Sequence, residues 1–218
     1  MGDVAGIGGL VLAGGLSRRM GGGDKSLRSL AGMPMIARVI ERLAPQVGPL
    51  AISANSDPAA FADFRLPVLA DLHPGRAGPL AGVLTGMDWV ARRPDLSHLV
   101  TVATDAPFLP RDLVARLRAC AAPDRLVLAR SASGRHPVFG LWPVSLRDDL
   151  AGWLTTSPTM RVFAWVERHE TVWCEFDPEV PGGPDPFFNA NTPEDLAAAE
   201  EHLTRPADRP SPTRPRLR

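Results

Sequence analysis

The segment that most limits what this chain can fold into lies near its start. An apolar run, Ile7 to Ala13, passes without a break into Gly14-Gly15 and a loop dense in glycine that ends at Lys25. Such a run, bounded by glycine, reads as a strand buried on both faces. Helical periodicity resumes only at Pro34, so the loop hangs from the strand's carboxyl end. Glycine lets backbone N–H groups close on an anion, and Arg18, Arg19 and Lys25 set three cations within eight residues of that loop. This density of charge suits a triphosphate better than a lone phosphate. Two familiar phosphate patterns do not fit. Lys25-Ser26 resembles the end of a P-loop, but Asp24 stands where glycine is required, and the dinucleotide pattern begun by Gly6 and Gly8 meets Val11 at its third glycine.

Composition adds one point here. Of twenty-four basic residues, Lys25 alone is lysine. A compact ammonium and a planar guanidinium are not interchangeable at a phosphate, so the single lysine marks a place that arginine does not fill. The twenty-four acidic residues cancel the basic ones, which argues against a dedicated nucleic-acid binder. With 44% apolar and 22% charged residues, the chain has the material for a sizeable core. No stretch approaches the roughly 18 apolar residues of a membrane helix. Asp3 stands where a signal peptide would carry positive charge, and the expectation is a soluble, cytoplasmic protein. Cys120 and Cys174 lack metal-type spacing and read as reduced core residues.

Beyond the loop, strands alternate with helices. Met35, Ile36, Val39, Ile40 and Leu43 give one helical face, started by Pro34. Strands follow at 50–53 and 68–70, a helix at 79–93 and a fully apolar strand at 99–104. A helix over 110–121 and a strand over 126–129 continue the pattern. The stretches 137–142, 160–166 and 171–176 suggest that the sheet becomes mixed, and a helix over 193–203 opens on the capping pattern Thr192, Pro193, Asp195. This alternation predicts an α/β fold: a single nucleotide-binding domain, with a mostly parallel central sheet flanked by helices. Residues 1–204 form that domain, and 205–218, rich in Pro and Arg, form a disordered tail with nothing to bury.

Asp105 follows the strand at 99–104 and should emerge at the same sheet edge as the glycine loop. An aspartate there can hold Mg²⁺ bridged to substrate phosphates, or cap a helix near Pro107 and Pro110. Asp71 occupies the equivalent point after the third strand, where a turn aspartate is equally natural. His136 can contact a ligand or simply enter a strand, and the other four histidines and the five tryptophans read as surface, packing or interface residues.

Several motifs in order carry a more specific likeness. Leu12-Ala13-Gly14-Gly15, then Arg19-Met20-Gly21 and Lys25, the Gly78-Pro79-Leu80-Ala81-Gly82 segment, Asp105-Ala106-Pro107-Phe108, Arg135-His136-Pro137 and Asn189-Ala190-Asn191-Thr192-Pro193-Glu194-Asp195 together resemble the molybdenum cofactor guanylyltransferases, also called molybdopterin-guanine dinucleotide biosynthesis protein A. The resemblance runs from about Gly8 to Leu203 and implies a Rossmann-like nucleotidyltransferase architecture. It also implies a reaction: GMP passes from GTP to the terminal phosphate of the molybdopterin cofactor, with Mg²⁺ as cofactor and pyrophosphate released. By the same resemblance Leu12, Ala13, Gly14, Gly15, Ser53 and Asp71 bind the nucleotide, Lys25 its phosphates, and Asp105 both GTP and Mg²⁺. Arg19 and Lys25 would stabilise the departing pyrophosphate. The family usually has asparagine at the position of Ser53, so Asn55 or water would take over that contact. Gly78, Gly82, Arg135, His136, Arg161, Asn189 and Asn191 fall on the acceptor side, although the two asparagines would also serve as caps for the last helix. A molybdoenzyme or cofactor-insertion protein is the implied transient partner. Three alternatives stay open: a related enzyme using CTP, one using a sugar phosphate, and a non-catalytic cofactor-delivery protein.

Overall fold

The computed structural model describes residues 6–14, 25–72, 78–121 and 124–204, with the backbone alone at Lys25. Its elements begin with β1 (Ile7–Leu12), the small β2 (Ser29–Leu30) and β3 (Met33–Pro34) ribbon, α1 (Met35–Leu43), β4 (Leu50–Ser53) and β5 (Val68–Leu69). Then come α2 (Pro79–Ala91), β6 (His98–Ala103), α3 (Leu113–Ala119), β7 (Leu126–Ser131) and β8 (Gly134–Pro143). The chain closes with α4 (Arg147–Thr156), α5 (Val162–Val166), β9 (Thr171–Glu175) and α6 (Pro193–Thr204). The tail expected over 205–218 lies outside the described residues.

Among the described residues the main sheet has seven strands, ordered β5-β4-β1-β6-β8-β7-β9. β5, β4, β1 and β6 are mutually parallel, and β8 runs against both β6 and β7. The chain first winds outward from β1 to β4 and β5, and then returns through α2 to lay β6 on the far side of β1. That reversal opens a crevice above the carboxyl ends of β1 and β6, the place where open α/β sheets bind ligands.

Alternate residues of the central strands feed two cores. Val11, Val100 and Val102 pack with α1 and α3 on one face, whereas Leu10 and Leu99 pack with α2, α4 and α5 on the other. Helices therefore cover both faces, as the continuous apolar strands require. A third cluster ties α6 to β2 through Leu30, Met35, Phe108, Ala190 and Ala199.

Three sequence expectations change. The aromatic stretch over 160–166 is not a strand: in a strand Phe163 and Trp165 would share a face, yet Trp165 is buried against Trp142 and Phe163 is exposed, so the segment turns as α5. The helix expected over 110–121 contracts to Leu113–Ala119, and the strand expected over 68–70 to Val68–Leu69, while Pro34 caps the start of α1 as expected. Cys120 and Cys174 are free thiols with Sγ atoms 3.5 Å apart, and burial pushes the Cys174 thiol up to about 12.

Candidate active site

The crevice holds a cavity of about 930 Å³. Leu12, Ala13 and Gly14 line it from the end of β1, Ser53 and Asn55 from the end of β4, Asp71 from beyond β5, and Gly78 and Gly82 from the start of α2. Asp105 enters from just past β6, Arg135 and His136 from β8, and Asn189 and Asn191 from the segment before α6. A smaller cavity of about 310 Å³, lined by Ser97, His98, Asp124 and Ser145, lies at the opposite end of β6.

One side of the large cavity is made by strand ends. Ala13 N–H donates to the Ser53 carbonyl (2.8 Å) and Thr104 N–H to that of Leu12 (3.4 Å), which carries the ladder one residue past the strands. Asp71 is clasped by Asn55: the Asn55 amide donates to the Asp71 carboxylate (2.7 Å), and its oxygen accepts the Asp71 backbone N–H (2.9 Å). Asn55 is thus committed to orienting Asp71, while Ser53 is buried beneath α2. Close packing there needs glycine at 82, because a Cβ would stand 2.7 Å from Leu12 Cδ2 and 2.8 Å from Ser53 Oγ. Gly82 therefore also sets how near α2 lies to the strand ends. Gly15 and Arg19 lie outside the described residues; Lys25 begins a short 3-10 turn, and its neighbour Ser26 lines the cavity.

The opposite side depends on an irregularity. Leu128 pairs with Gly140 but the next residue, Ala129, pairs with His136, so Pro137, Val138 and Phe139 bulge out of the β7–β8 ladder and line the cavity. Proline brings no N–H to a ladder and suits that position. Thr101 pins the bulge: its hydroxyl donates to the Val138 carbonyl and accepts from Trp142 Nε1, both at 2.7 Å. At the mouth of the hairpin, His136 Nε2 lies 2.7 Å from Ser131 Oγ, and Ser131 donates to Asp185 at 2.7 Å. Burial alone would push the Asp185 carboxyl up. Hydrogen bonds from Ser131, the Phe187 N–H and Ser133, with His136 nearby, outweigh that and hold it below the usual carboxylate range. Burial lowers His136, more than Asp185 raises it.

The other residues expected on the acceptor side separate. Arg135 sits over the Trp173 ring, 4.9 Å from its centroid, and faces the cavity. Arg161 is exposed at the entrance to α5 and does not line the cavity, although the Met160 carbonyl comes close to Gly78. Asn189 and Asn191 flank Ala190, whose N–H donates to the Asp105 main-chain carbonyl (2.9 Å) and so draws this segment to the end of β6. The capping of α6 is done by Thr192, which accepts from Asp195 N–H (3.1 Å), and by the Asp195 carboxylate, which accepts from Asn191 and Thr192 N–H. Sequence reasoning missed Ser131, Asp185 and the bulge; Pro137 inside an apolar strand was the visible signal.

Among the described residues no three of His, Cys, Asp or Glu gather as a metal cluster, and no helix is long and apolar enough to cross a membrane. A cation in the cavity would rest on Asp105 together with oxygens of a bound phosphate.

Comparison with known proteins agrees with this geometry. Residues 9–172 match the family described as the MobA-like NTP transferase domain. The chain is 55% identical over 195 residues to the molybdenum cofactor guanylyltransferase of Bradyrhizobium sp. (strain ORS 278), covering 88% of this chain and 91% of that protein. It is 50% identical over 203 residues to the protein of the same name from Mesorhizobium japonicum (strain LMG 29417 / CECT 9101 / MAFF 303099), covering 92% and 96%. Among solved structures, the molybdopterin-guanine dinucleotide biosynthesis protein A of Archaeoglobus fulgidus superposes with a TM-score of 0.71 at 25% identity, over 89% of this chain and 97% of that one.

Proposed function

Because the chain belongs to the family of MobA-like NTP transferase domains, an enzyme family, we propose that it is a molybdenum cofactor guanylyltransferase. It moves GMP from GTP to the terminal phosphate of molybdopterin cofactor. The observation that carries this reading is the sharing of one cavity: strand-end backbone and Asp105 on one side, the β8 bulge with His136 and Asn189 on the other. A nucleotide and a second substrate then meet at the switch in strand order.

In the reaction an oxygen of the acceptor's terminal phosphate attacks the α-phosphorus of GTP. A new P–O–P linkage forms, the bond between the α-phosphorus and its bridging oxygen breaks, and pyrophosphate leaves. The attacking phosphate is already anionic near neutral pH, so no side chain needs to remove a proton. What the chain supplies is position and charge. The Leu12–Gly14 backbone holds the nucleotide, Asp71, kept in place by Asn55, contacts it, and Arg19 and Lys25 stabilise the departing pyrophosphate. Mg²⁺ usually takes one or two carboxylates and completes its shell with water and phosphate oxygens, so the donor set around Asp105 fits it. Asp105 would hold such a cation, which would supply positive charge to the nucleotide phosphates. Gly78, Gly82, Arg135, His136, Asn189 and Asn191 border the acceptor, with Arg161 outside the rim. We assign the activity to residues 1–204 in the cytoplasm, the tail being dispensable for it.

The test is to incubate the protein with Mg²⁺, molybdopterin cofactor and each of GTP and CTP, and to follow pyrophosphate release. Release with GTP, and loss of it in Asp105→Ala, is the expected result. Preferential turnover of CTP would overturn the guanine assignment, and wild-type turnover in Asp105→Ala would overturn the metal assignment.

A further inference from the structure

The hydrogen-bond chain at the hairpin mouth fixes more than the place of His136. The Asp185 carboxylate only accepts, so the 2.7 Å contact to Ser131 requires the serine proton. A hydroxyl has one proton, and Ser131 Oγ can then meet His136 Nε2 at 2.7 Å only by accepting from it. Ser133 Oγ, 3.1 Å from Ser131 Oγ and 3.4 Å from His136 Nε2, gives its own proton to Asp185 and so takes none from Ser131. The proton of His136 therefore resides on Nε2. The carboxylate is further held by the Phe187 N–H (2.8 Å), and the Phe187 ring packs on the imidazole with centroids 4.7 Å apart, so ring and relay are fixed together. Among the described residues no group bonds Nδ1, and His136 lines the cavity.

We propose that Ser131 and Asp185 are positioning residues, which hold His136 as a neutral imidazole protonated on Nε2, so that its Nδ1 accepts a hydrogen bond from an N–H of the acceptor substrate's ring system. This rests on the function proposed above for the same cavity. An imidazole of this kind is a poor phosphate clamp, since it brings no charge and no donor to the free nitrogen. It selects instead for a polar heterocycle that presents N–H, which a pterin does. Burial keeps the imidazole uncharged near neutral pH. Among the described residues, Asp185 is the charged group at the relay, and Asp71, Asp105 and Arg135 share the cavity that the ring lines, Arg135 with its guanidinium over Trp173.

The experiment uses the full chain with ¹⁵N-labelled histidine, read by NMR near pH 7.5 at the two ring nitrogens. Wild-type His136 should show a protonated Nε2 and a lone pair on Nδ1, and molybdopterin should shift Nδ1 while inorganic phosphate leaves it unmoved. A doubly protonated ring, a proton on Nδ1, or a response to inorganic phosphate overturns the proposal. Ser131→Ala should raise the KM for the acceptor about tenfold with the KM for GTP unchanged, and Ser131→Thr, which keeps the hydroxyl, should restore it. Equal changes in both KM values would reduce Ser131 to a packing role and sink the proposal. The ring titration with molybdopterin does not depend on turnover. An enzyme that releases no pyrophosphate but shows the Nδ1 shift therefore rejects the guanylyl-transfer reading alone.

Discussion

The two sides of the cavity are built by opposite means. On the side we assign to the nucleotide, main chain makes most of the wall: β1, β4 and β6 end side by side, and single residues just past those ends face the cavity. On the side we assign to the acceptor, side chains do it, through a bulged antiparallel strand and a relay from His136 to Ser131 to Asp185 that spans 54 residues at its longer step. A wall made of backbone tolerates a changed side chain. A relay in which each hydroxyl has one proton does not.

The contrast can be broken at several points. The largest effect should come from Asp105→Ala, with transfer falling by about 10²–10³-fold or more while acceptor binding, followed by titration, stays intact. Loss of both would mean that the two sides are not separable. Lys25→Arg keeps the charge and should still slow pyrophosphate release about tenfold; wild-type turnover would return the lone lysine to composition. Asn55→Ala frees the Asp71 carboxylate and should raise the KM for GTP roughly fivefold, leaving the acceptor's KM alone. Gly82→Ala forces a Cβ against Leu12 and Ser53 and should cost about 1–3 kcal/mol, seen as a lower Tm, with the nucleotide side disturbed before the acceptor side.

The smallest effect is one of pH. His98, His136 and His169 are all lowered from 6.5, chiefly by burial, so below that pH the unfolded chain binds more protons than the folded one. Their contribution to stability is complete above about 6.5 and is lost as pH falls through their folded values. A shallow decline in Tm from pH 7 to 5 is expected, and His136→Gln should flatten it in part.

The nucleotide side was the legible one, and the reason is physical. A parallel strand buried on both faces writes itself as a continuous apolar run, and the residue after it reaches the crevice by geometry, so the places of Asp71 and Asp105 at the cavity followed from counting along the chain, while Leu12, Ala13 and Gly14 came with the family resemblance. The acceptor side draws on pairings that no local pattern encodes. Ser131 lies in a short polar segment and Asp185 in a proline-rich one, and neither spacing nor periodicity brings them together. α5 was misread because a five-residue helix shows little more than one turn of periodicity. At the start of α6, Thr192 and Asp195, already visible as a capping pattern, exchange the capping hydrogen bonds with the backbone.

The antiparallel β8 has a consequence for how such a protein diversifies. β7 and β8 form one contiguous hairpin at the acceptor edge, anchored to β6 by the ladder and by the Trp142–Thr101 bond, whereas β4, β1 and β6 are joined by crossovers whose helices are themselves core. The hairpin's mouth can be exchanged without re-threading the parallel strands, provided that residues 129–139 move together with the segment at Asp185 and Phe187 to which Ser131 and His136 are tied. Grafting that mouth between relatives should move the preference for the acceptor and leave the nucleotide chemistry in place, so that new acceptors arise by swapping a hairpin.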